Sequence, residues 1–315
     1  MKDSDEFSIL KKVFKNLGNQ YFDSSNLFIG PGDDAGLFKT KKELIFSTDT
    51  SVANVHFPKD LEPKLVAYRA CAVAASDIAA CGGKLKWLSI ALTANSKKKK
   101  WVEEFSKGIK EFSDNYKVPI IGGDLTMGKE ISVSIGACGE IDKKYFMRRN
   151  GGKEKDLIFV TGNLGEASIG LNLLKQKKQN LKSAEKICLK RFLKPEINFL
   201  FSQDLSKIAN SCIDISDGLM ADLNHICEQS NLKAEINLDN IPLIGNAIKA
   251  ITWGDDYQLC FTISSSKIKK LTEISKKHNV KITNIGKLTK GKGISVLSKG
   301  KKINIKKAGY NHFNG

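Results

Sequence analysis

A chain of 315 residues, 41% of them hydrophobic, is long enough for two ordinary domains that each bury a core. It has no apolar run near the roughly 20 residues that cross a bilayer, and its start, Met1-Lys2-Asp3-Ser4-Asp5-Glu6, is unlike a signal peptide, so a cytoplasmic protein away from the membrane is expected. The 51 Lys and Arg against 34 Asp and Glu leave a charge of +17, but only Arg69, Arg148, Arg149 and Arg191 are arginines and no basic–aromatic stripe is visible. Anionic phosphates, rather than a nucleic acid, are the expected partners of that charge.

Taken along the chain, Glu43 to Ser47 reads as a strand leading into Thr48-Asp49-Thr50. Pro63 opens an alanine-rich helix that runs to Cys81 and stops at Gly82-Gly83. Trp87 to Thr93 is strand-like, and Lys98 to Tyr116 places Trp101, Phe105, Ile109 and Phe112 at helical spacing, a stripe suited to core packing. Val118 to Ile121 and Ile131 to Cys138 are further strands, and Arg148 to Lys153 is polar and glycine-rich like a linker. Beyond it come a strand over Asp156 to Thr161, a helix after Gly165, and a strand over Ile213 to Ile215. A helix over Gly218 to Gln229, a strand over Gln258 to Ile263 and a helix over Ser266 to His278 follow, then a hairpin over Ile294 to Ile305. Two mixed α/β halves, 1–148 and 149–315, are the expected organisation. Cysteines 71, 81, 138, 188, 212, 227 and 260 form no Cys-x-x-Cys pair and read as buried thiols; four histidines without a pattern argue against zinc.

One local grammar recurs: an apolar strand ending in glycine, serine or threonine beside aspartate. It appears at Gly32-Asp33-Asp34, Ser47-Thr48-Asp49, Gly122-Gly123-Asp124, Asp214-Ile215-Ser216-Asp217-Gly218 and Gly254-Asp255-Asp256. Each alone reads equally as a turn or a helix cap. Asp77 is different, because it sits in the small-residue helix, where a buried carboxylate needs a cation or good hydrogen bonds. Carboxylates gathered at strand ends ionise together only with cations between them, and oxygen-only ligands select magnesium or calcium. With no Gly-x-x-x-x-Gly-Lys-Ser/Thr loop and no kinase catalytic loop in the chain, metal-held phosphate chemistry is the expected activity.

In the same order along Gly32 to Phe313, Gly32-Asp33-Asp34-Ala35, Ser47-Thr48-Asp49-Thr50, Val55-His56-Phe57, Ser76-Asp77-Ile78-Ala79-Ala80-Cys81-Gly82-Gly83, Gly122-Gly123-Asp124-Leu125-Thr126, Asp214-Ile215-Ser216-Asp217-Gly218-Leu219, Gly254-Asp255-Asp256-Tyr257-Gln258-Leu259 and Gly309-Tyr310-Asn311-His312-Phe313 resemble the motifs of the thiamine-monophosphate kinases. These belong with aminoimidazole ribonucleotide synthetase and selenophosphate synthetase. The resemblance implies that superfamily's two-domain fold, with an N-terminal mixed-sheet domain for ATP, metal and dimerisation and a C-terminal α/β domain that completes the site. It implies ATP as co-substrate, thiamine monophosphate as acceptor, several magnesium ions and a homodimer. Metal ligands would fall on Asp33, Ser47, Thr48, Asp49, Asp77, Asp124, Asp214 and Asp217. Gly123, Asp124, Arg149 and Ser216 would meet the nucleotide, and His56, Asp255, Asp256, Tyr310 and Phe313 the thiamine end; Asp33, Asp124, Asp217 and Arg149 would carry catalysis. The chain departs from the family at Gly36, at Asn150-Gly151-Gly152, at Gln258 and at Asn311. Another acceptor within the superfamily, or a basic nucleic-acid-binding protein, are the competing readings.

Overall fold

The computed structural model describes Phe14 and residues 16–31, 35–94, 99–305, 309 and 310. The chain falls into two units, one of Met1–Ile78 with Lys84–Lys143 and one of Ala79–Gly83 with Lys144–Gly315.

In the first unit, β1 (Leu27–Ile29) and β2 (Leu37–Phe38) form an antiparallel ribbon. β3 (Glu43–Val52), α1 (Pro63–Ala80), β4 (Lys84–Ala94), α2 (Lys99–Tyr116), β5 (Ile120–Met127) and β6 (Ser132–Ile141) follow. The sheet runs β3-β6-β4-β5, antiparallel except for the β4–β5 pair. Its register sets Ser47 and Asp49 of β3 level with Ala137 and Ile135 of β6 and Leu88 and Ile90 of β4. That row faces α1, because the Ser47 hydroxyl donates to the Asp77 carboxylate and Gly139 lies so near Ile78 that a Cβ would come within 2.6 Å. Side chains alternate along a strand, so Thr48, Thr50, Ser134, Ala91 and Asp124 share the opposite face.

α1 is buried nearly all round, as its small residues allow: Ala67, Cys71, Ala72, Ala74 and Ala75 are fully covered. Phe105, Ile109 and Phe112 of α2 are likewise covered, and Trp101 stacks on Phe105 at 5.3 Å, so the expected stripe is core. The two helices touch at Gly108, where a Cβ would sit 2.0 Å from the Lys64 carbonyl oxygen. The opposite face is covered in part, where Trp87 and Cys138 pack with Leu27 of β1 and Phe38 of β2, and is exposed at Phe46 (66%) and Leu44 (41%). Among the described residues no strand pairs with the outer edge of β3 or of β5.

The second unit contains β7 (Leu157–Thr161), α3 (Glu166–Lys175), α4 (Ser183–Leu193), α5 (Phe199–Leu205), β8 (Ser211–Asp214), α6 (Leu219–Ser230) and β9 (Lys233–Asn237). α7 (Ala247–Thr252), β10 (Leu259–Ile263), α8 (Ile268–His278), β11 (Ile282–Thr289), β12 (Gly293–Ser298) and β13 (Lys301–Ile303) complete it. Its sheet order is β13-β12-β9-β11-β7-β10-β8, and only β9 and β12 are parallel. Ile158, Val160, Ile213 and Cys260 pack with Leu219, Leu223 and Ile226 of α6 on one face. Phe159, Cys212, Phe261 and Ile263 pack with Phe201 and Leu205 of α5 and Leu271 and Ile274 of α8 on the other. Burial on both faces is why β7 and β10 read as near-continuous apolar runs, and it extends to Ser211 and Asp214 at the ends of β8.

Three readings of the sequence need correction. Ser47 to Thr50 and Gly122 to Asp124 lie inside β3 and β5 rather than beyond strand ends, because ladder hydrogen bonding continues through polar residues that face solvent or a helix. The stretch Arg148 to Lys153 is no linker. Its Arg148 carbonyl accepts from Cys212 N at 3.1 Å, Gly152 N donates to Ser230 Oγ at 3.2 Å, and Gly151 lies against the Asn210 carbonyl. The strands β9 and β11 escaped the sequence reading, since they mix lysine and asparagine with few apolar positions. The Gly108 contact predicts that Gly108→Ala, which forces α1 and α2 apart, lowers stability by about 1–3 kcal/mol, measured as a lower urea midpoint.

Candidate active site

In the N-terminal unit the candidate ligands lie on both faces of one sheet. Asp77 is half-buried rather than enclosed, and the Ser47 hydroxyl answers the demand that burial makes on its carboxylate. Asp49 lies two residues along β3 on the same helix-covered face. Thr48 is exposed on the other face, and so is Asp124, which accepts from Thr126 Oγ1 at 2.9 Å. Since β3 and β5 are the two edges of a four-stranded sheet, their candidate ligands stand about 14 Å apart within one copy.

Glycine at 123 is required by strand packing, because a Cβ there would meet the Ile90 carbonyl oxygen at 2.1 Å. Beside Gly122 there is open space, which leaves room on the Asp124 face. His56 follows the end of β3, and its Nδ1 accepts the Val52 amide at 3.0 Å. An amide can only donate, so the neutral ring carries its proton on Nε2. Asp33, with Asp34, and Phe313 lie outside the described residues.

In the C-terminal unit the turn Ile215 to Gly218, between β8 and α6, is the hub. Asp214 at the end of β8 is buried, and Ser216 and Asp217 are half-buried. The turn meets the segment before β10 through backbone bonds: Asp255 N to Ser216 O at 2.8 Å, Tyr257 N to Ile215 O at 2.8 Å and Ile215 N to Gln258 O at 2.7 Å. Gly254 permits this approach, since a Cβ would lie 1.8 Å from the Ser216 carbonyl oxygen. Asp255 and Tyr257 are held at φ of 73° and 48°, a left-handed conformation that costs non-glycine residues free energy and gathers at functional sites. The Tyr257 hydroxyl donates to the Asp255 carboxylate at 3.1 Å. Tyr310, 46% exposed, reaches the same turn by donating its amide to Asp217 O at 3.1 Å. Arg149 is exposed on its 3-10 turn, whereas the Arg148 guanidinium lies over the Phe146 ring at 5.9 Å.

Asp256 is placed differently from its neighbour. It is buried and accepts the Gly165 amide at 3.0 Å at the start of α3, so its visible role is to tie β10 to that helix. Burial pushes its carboxyl up to about 8 although the Gly165 and Ala167 amides pull the other way. Gln258 is buried too, accepting from Thr161 Oγ1 at 2.7 Å.

One residue escaped sequence reading altogether. Asp222, in the first turn of α6 and 2% exposed, accepts the amides of Ser216, Asp217 and Gly218 on one oxygen at 3.0, 3.1 and 3.1 Å. Its carboxyl is raised to about 8, first by burial and then by Asp214 and Asp217, while the Asp217 and Ser216 amides oppose the rise. The only sequence signal was an acidic residue in a first helical turn, which is commonplace.

Two family models match the chain: AIR synthase related protein, N-terminal domain, over residues 32–141, and AIR synthase related protein, C-terminal domain, over residues 153–299. The thiamine-monophosphate kinase of Buchnera aphidicola subsp. Schizaphis graminum is 42% identical over 324 residues, covering 98% of each chain. The crystal structure of the thiamine-monophosphate kinase from Stenotrophomonas maltophilia K279a aligns with a TM-score of 0.82 at 29% identity, over 95% of this chain and 98% of that one. The structure of AaThiL complexed with AMPPCP and TMP aligns with a TM-score of 0.76 at 30% identity, over 99% of this chain and 98% of that one. The chain thus belongs, among the AIR synthase-related proteins, to the thiamine-monophosphate kinase family.

The raised carboxyl of Asp256 gives a pH prediction. A group that holds its proton more tightly when folded stabilises the fold most below the unfolded value near 4, and that contribution is lost as pH rises towards 8. Asp256→Asn, which keeps an acceptor for the Gly165 amide, is expected to flatten the fall in urea midpoint between pH 5 and pH 8.5. An equal fall in both proteins would count against this role.

Proposed function

We propose that this protein transfers the γ-phosphoryl group of ATP directly to thiamine monophosphate, giving thiamine diphosphate, in the cytoplasm. The observation that carries the reading is the full-length relation to the AaThiL structure complexed with AMPPCP and TMP, at 30% identity over 99% of this chain. Among the described residues no helix is long and apolar enough to cross a membrane.

The donors suit a hard cation in kind. The candidate ligand side chains Ser47, Thr48, Asp49, Asp77, Asp124, Asp214 and Asp217 offer oxygen alone, and Asp214 and Asp217 crowd Asp222 closely enough to raise its carboxyl. Among the described residues no three His, Cys, Asp or Glu side chains form a metal-holding group in one copy, and Asp33 lies outside them. Magnesium ions held by these residues and Asp33 would cancel charge on the phosphates as they are brought together.

The chain's own groups have separable tasks. The acceptor is itself an anion, so no strong general base is needed and in-line positioning dominates. Arg149 extends an exposed guanidinium suited to nucleotide phosphates, and Gly123, Asp124 and Ser216 border the nucleotide. His56 offers an Nε2–H donor to the substrate. Asp255, fixed by Tyr257, balances the cationic thiazolium, on which Tyr310 and Phe313 pack. Asp256 acts on that end by fixing its neighbour.

The N-terminal half, 1–148, carries metal binding and self-association, and the remainder carries the other ligands. Support for a homodimer comes from the exposed Phe46 and Leu44 on one sheet face, and from the outer edges of β3 and β5, with which no strand pairs among the described residues. The distance between the β3 and β5 ligands adds to it: a shared ion would need β5 of a second copy beside β3.

Incubation with ATP, magnesium and thiamine monophosphate is expected to yield thiamine diphosphate, and absence of product across a magnesium titration would refute the reading. Asp124→Asn should lower turnover by at least 100-fold with an unchanged circular dichroism spectrum. Phe46→Glu, which charges the exposed part of that face, should shift the protein from dimer to monomer in sedimentation and lower activity with it.

A further inference from the structure

Three successive amides that converge on one point make a site for an anion. The Ser216, Asp217 and Gly218 amides converge in this way, and the point is filled by an oxygen of the chain's own Asp222 carboxyl. Two carbonyls of the same turn are also engaged, Ser216 O by the Asp255 amide and Asp217 O by the Tyr310 amide. The backbone of the turn is therefore satisfied internally, and a ligand arriving there meets the side chains of Ser216 and Asp217. A loop that could have cradled a phosphate with amides is converted into one that offers hydroxyl and carboxylate oxygens. The same clamp fixes the start of α6 relative to the end of β8, where Asp214 sits.

We propose that Asp222 is a positioning residue for phosphoryl transfer, which occupies the amide nest of the Ser216–Gly218 turn and so aims Ser216 and Asp217 at the magnesium nucleotide. This rests on the kinase reading for its consequence, but the clamp itself does not. Three backbone hydrogen bonds to one buried oxygen are a strong local restraint. Releasing them leaves the turn free to shift by the ångström that in-line transfer does not tolerate.

The test compares the full-length wild type with Asp222→Ala and Asp222→Asn. Asp222→Ala is expected to lose at least 100-fold in kcat and to need several-fold more magnesium for half its maximal rate, with KM for thiamine monophosphate changed less than threefold. Asp222→Asn keeps one acceptor oxygen and should lose at least fivefold but less than the alanine variant. Formate at 0.1–0.5 M should restore at least tenfold of the Asp222→Ala rate, by refilling the nest, and should do nothing for Asp124→Asn. Hydrogen exchange without substrates should show peptides spanning 213–219 exchanging at least tenfold faster in Asp222→Ala, with β7 and β10 unchanged and protection returning with formate.

A folded Asp222→Ala with wild-type rate and magnesium dependence would overturn the proposal. So would unchanged exchange at 213–219, or a loss that formate leaves untouched. If Asp222→Ala does not fold, an Asp222→Asn protein matching wild type in rate and exchange overturns it equally. A wild type that makes no thiamine diphosphate, yet shows the exchange and formate effects in its variant, strikes the kinase reading and leaves the clamp standing.

Discussion

A carboxylate leaves water only when other groups replace its hydration, and this constraint shapes both units. Asp77 meets it with the Ser47 hydroxyl across the gap between α1 and β3. Asp256 meets it with the Gly165 amide, which ties the approach to β10 onto α3. Asp222 meets it with three amides of the turn that follows β8. Each solution joins two elements that are distant in sequence or would otherwise diverge. The acidic residues are thus part of what fixes the backbone around the candidate ligands.

The Ser216–Gly218 turn shows how far this goes. Its amides are taken by Asp222, its carbonyls by Asp255 and Tyr310, and Gly254 gives up a side chain so that the Ser216 carbonyl can approach. Left-handed Asp255 and Tyr257 are held in place by that same pairing. What remains is a small set of oxygen-bearing side chains, among them half-buried Ser216 and Asp217. Phosphate chemistry through metal ions, in a chain with no phosphate-cradling glycine loop, is consistent with such a turn.

The N-terminal unit distributes its candidate ligands otherwise. Alternation along β3 sends Ser47 and Asp49 towards α1 and Thr48 to the opposite face, so neighbours in one motif serve two faces. Register then puts Asp124 with Thr48 in facing but not in position, because two strands intervene. A sheet with an exposed Phe46, and with outer edges that no strand pairs among the described residues, is incomplete by ordinary standards of burial. A second copy is the proposed completion.

Much of this was legible in the residues. The helix stripe Phe105, Ile109 and Phe112 follows from a period of 3.6, and the buried strands of the second unit follow from apolar runs bounded by turn residues. The ordered glycine–aspartate motifs, each weak alone, pointed to the family that the comparisons establish. Local pattern could not decide strand continuation through Ser47 to Thr50, the packing of Arg148 to Lys153, or the presence of β9 and β11, because each depends on a partner far along the chain. For the same reason the family resemblance marks Asp256 for the thiamine end, and nothing local singles out Asp222. By itself the sequence determined which oxygen-bearing side chains the chain can offer, since side-chain chemistry is local. Only the tertiary structure decided which of them face outward and which are consumed in holding the backbone, since that depends on what lies opposite once water is excluded.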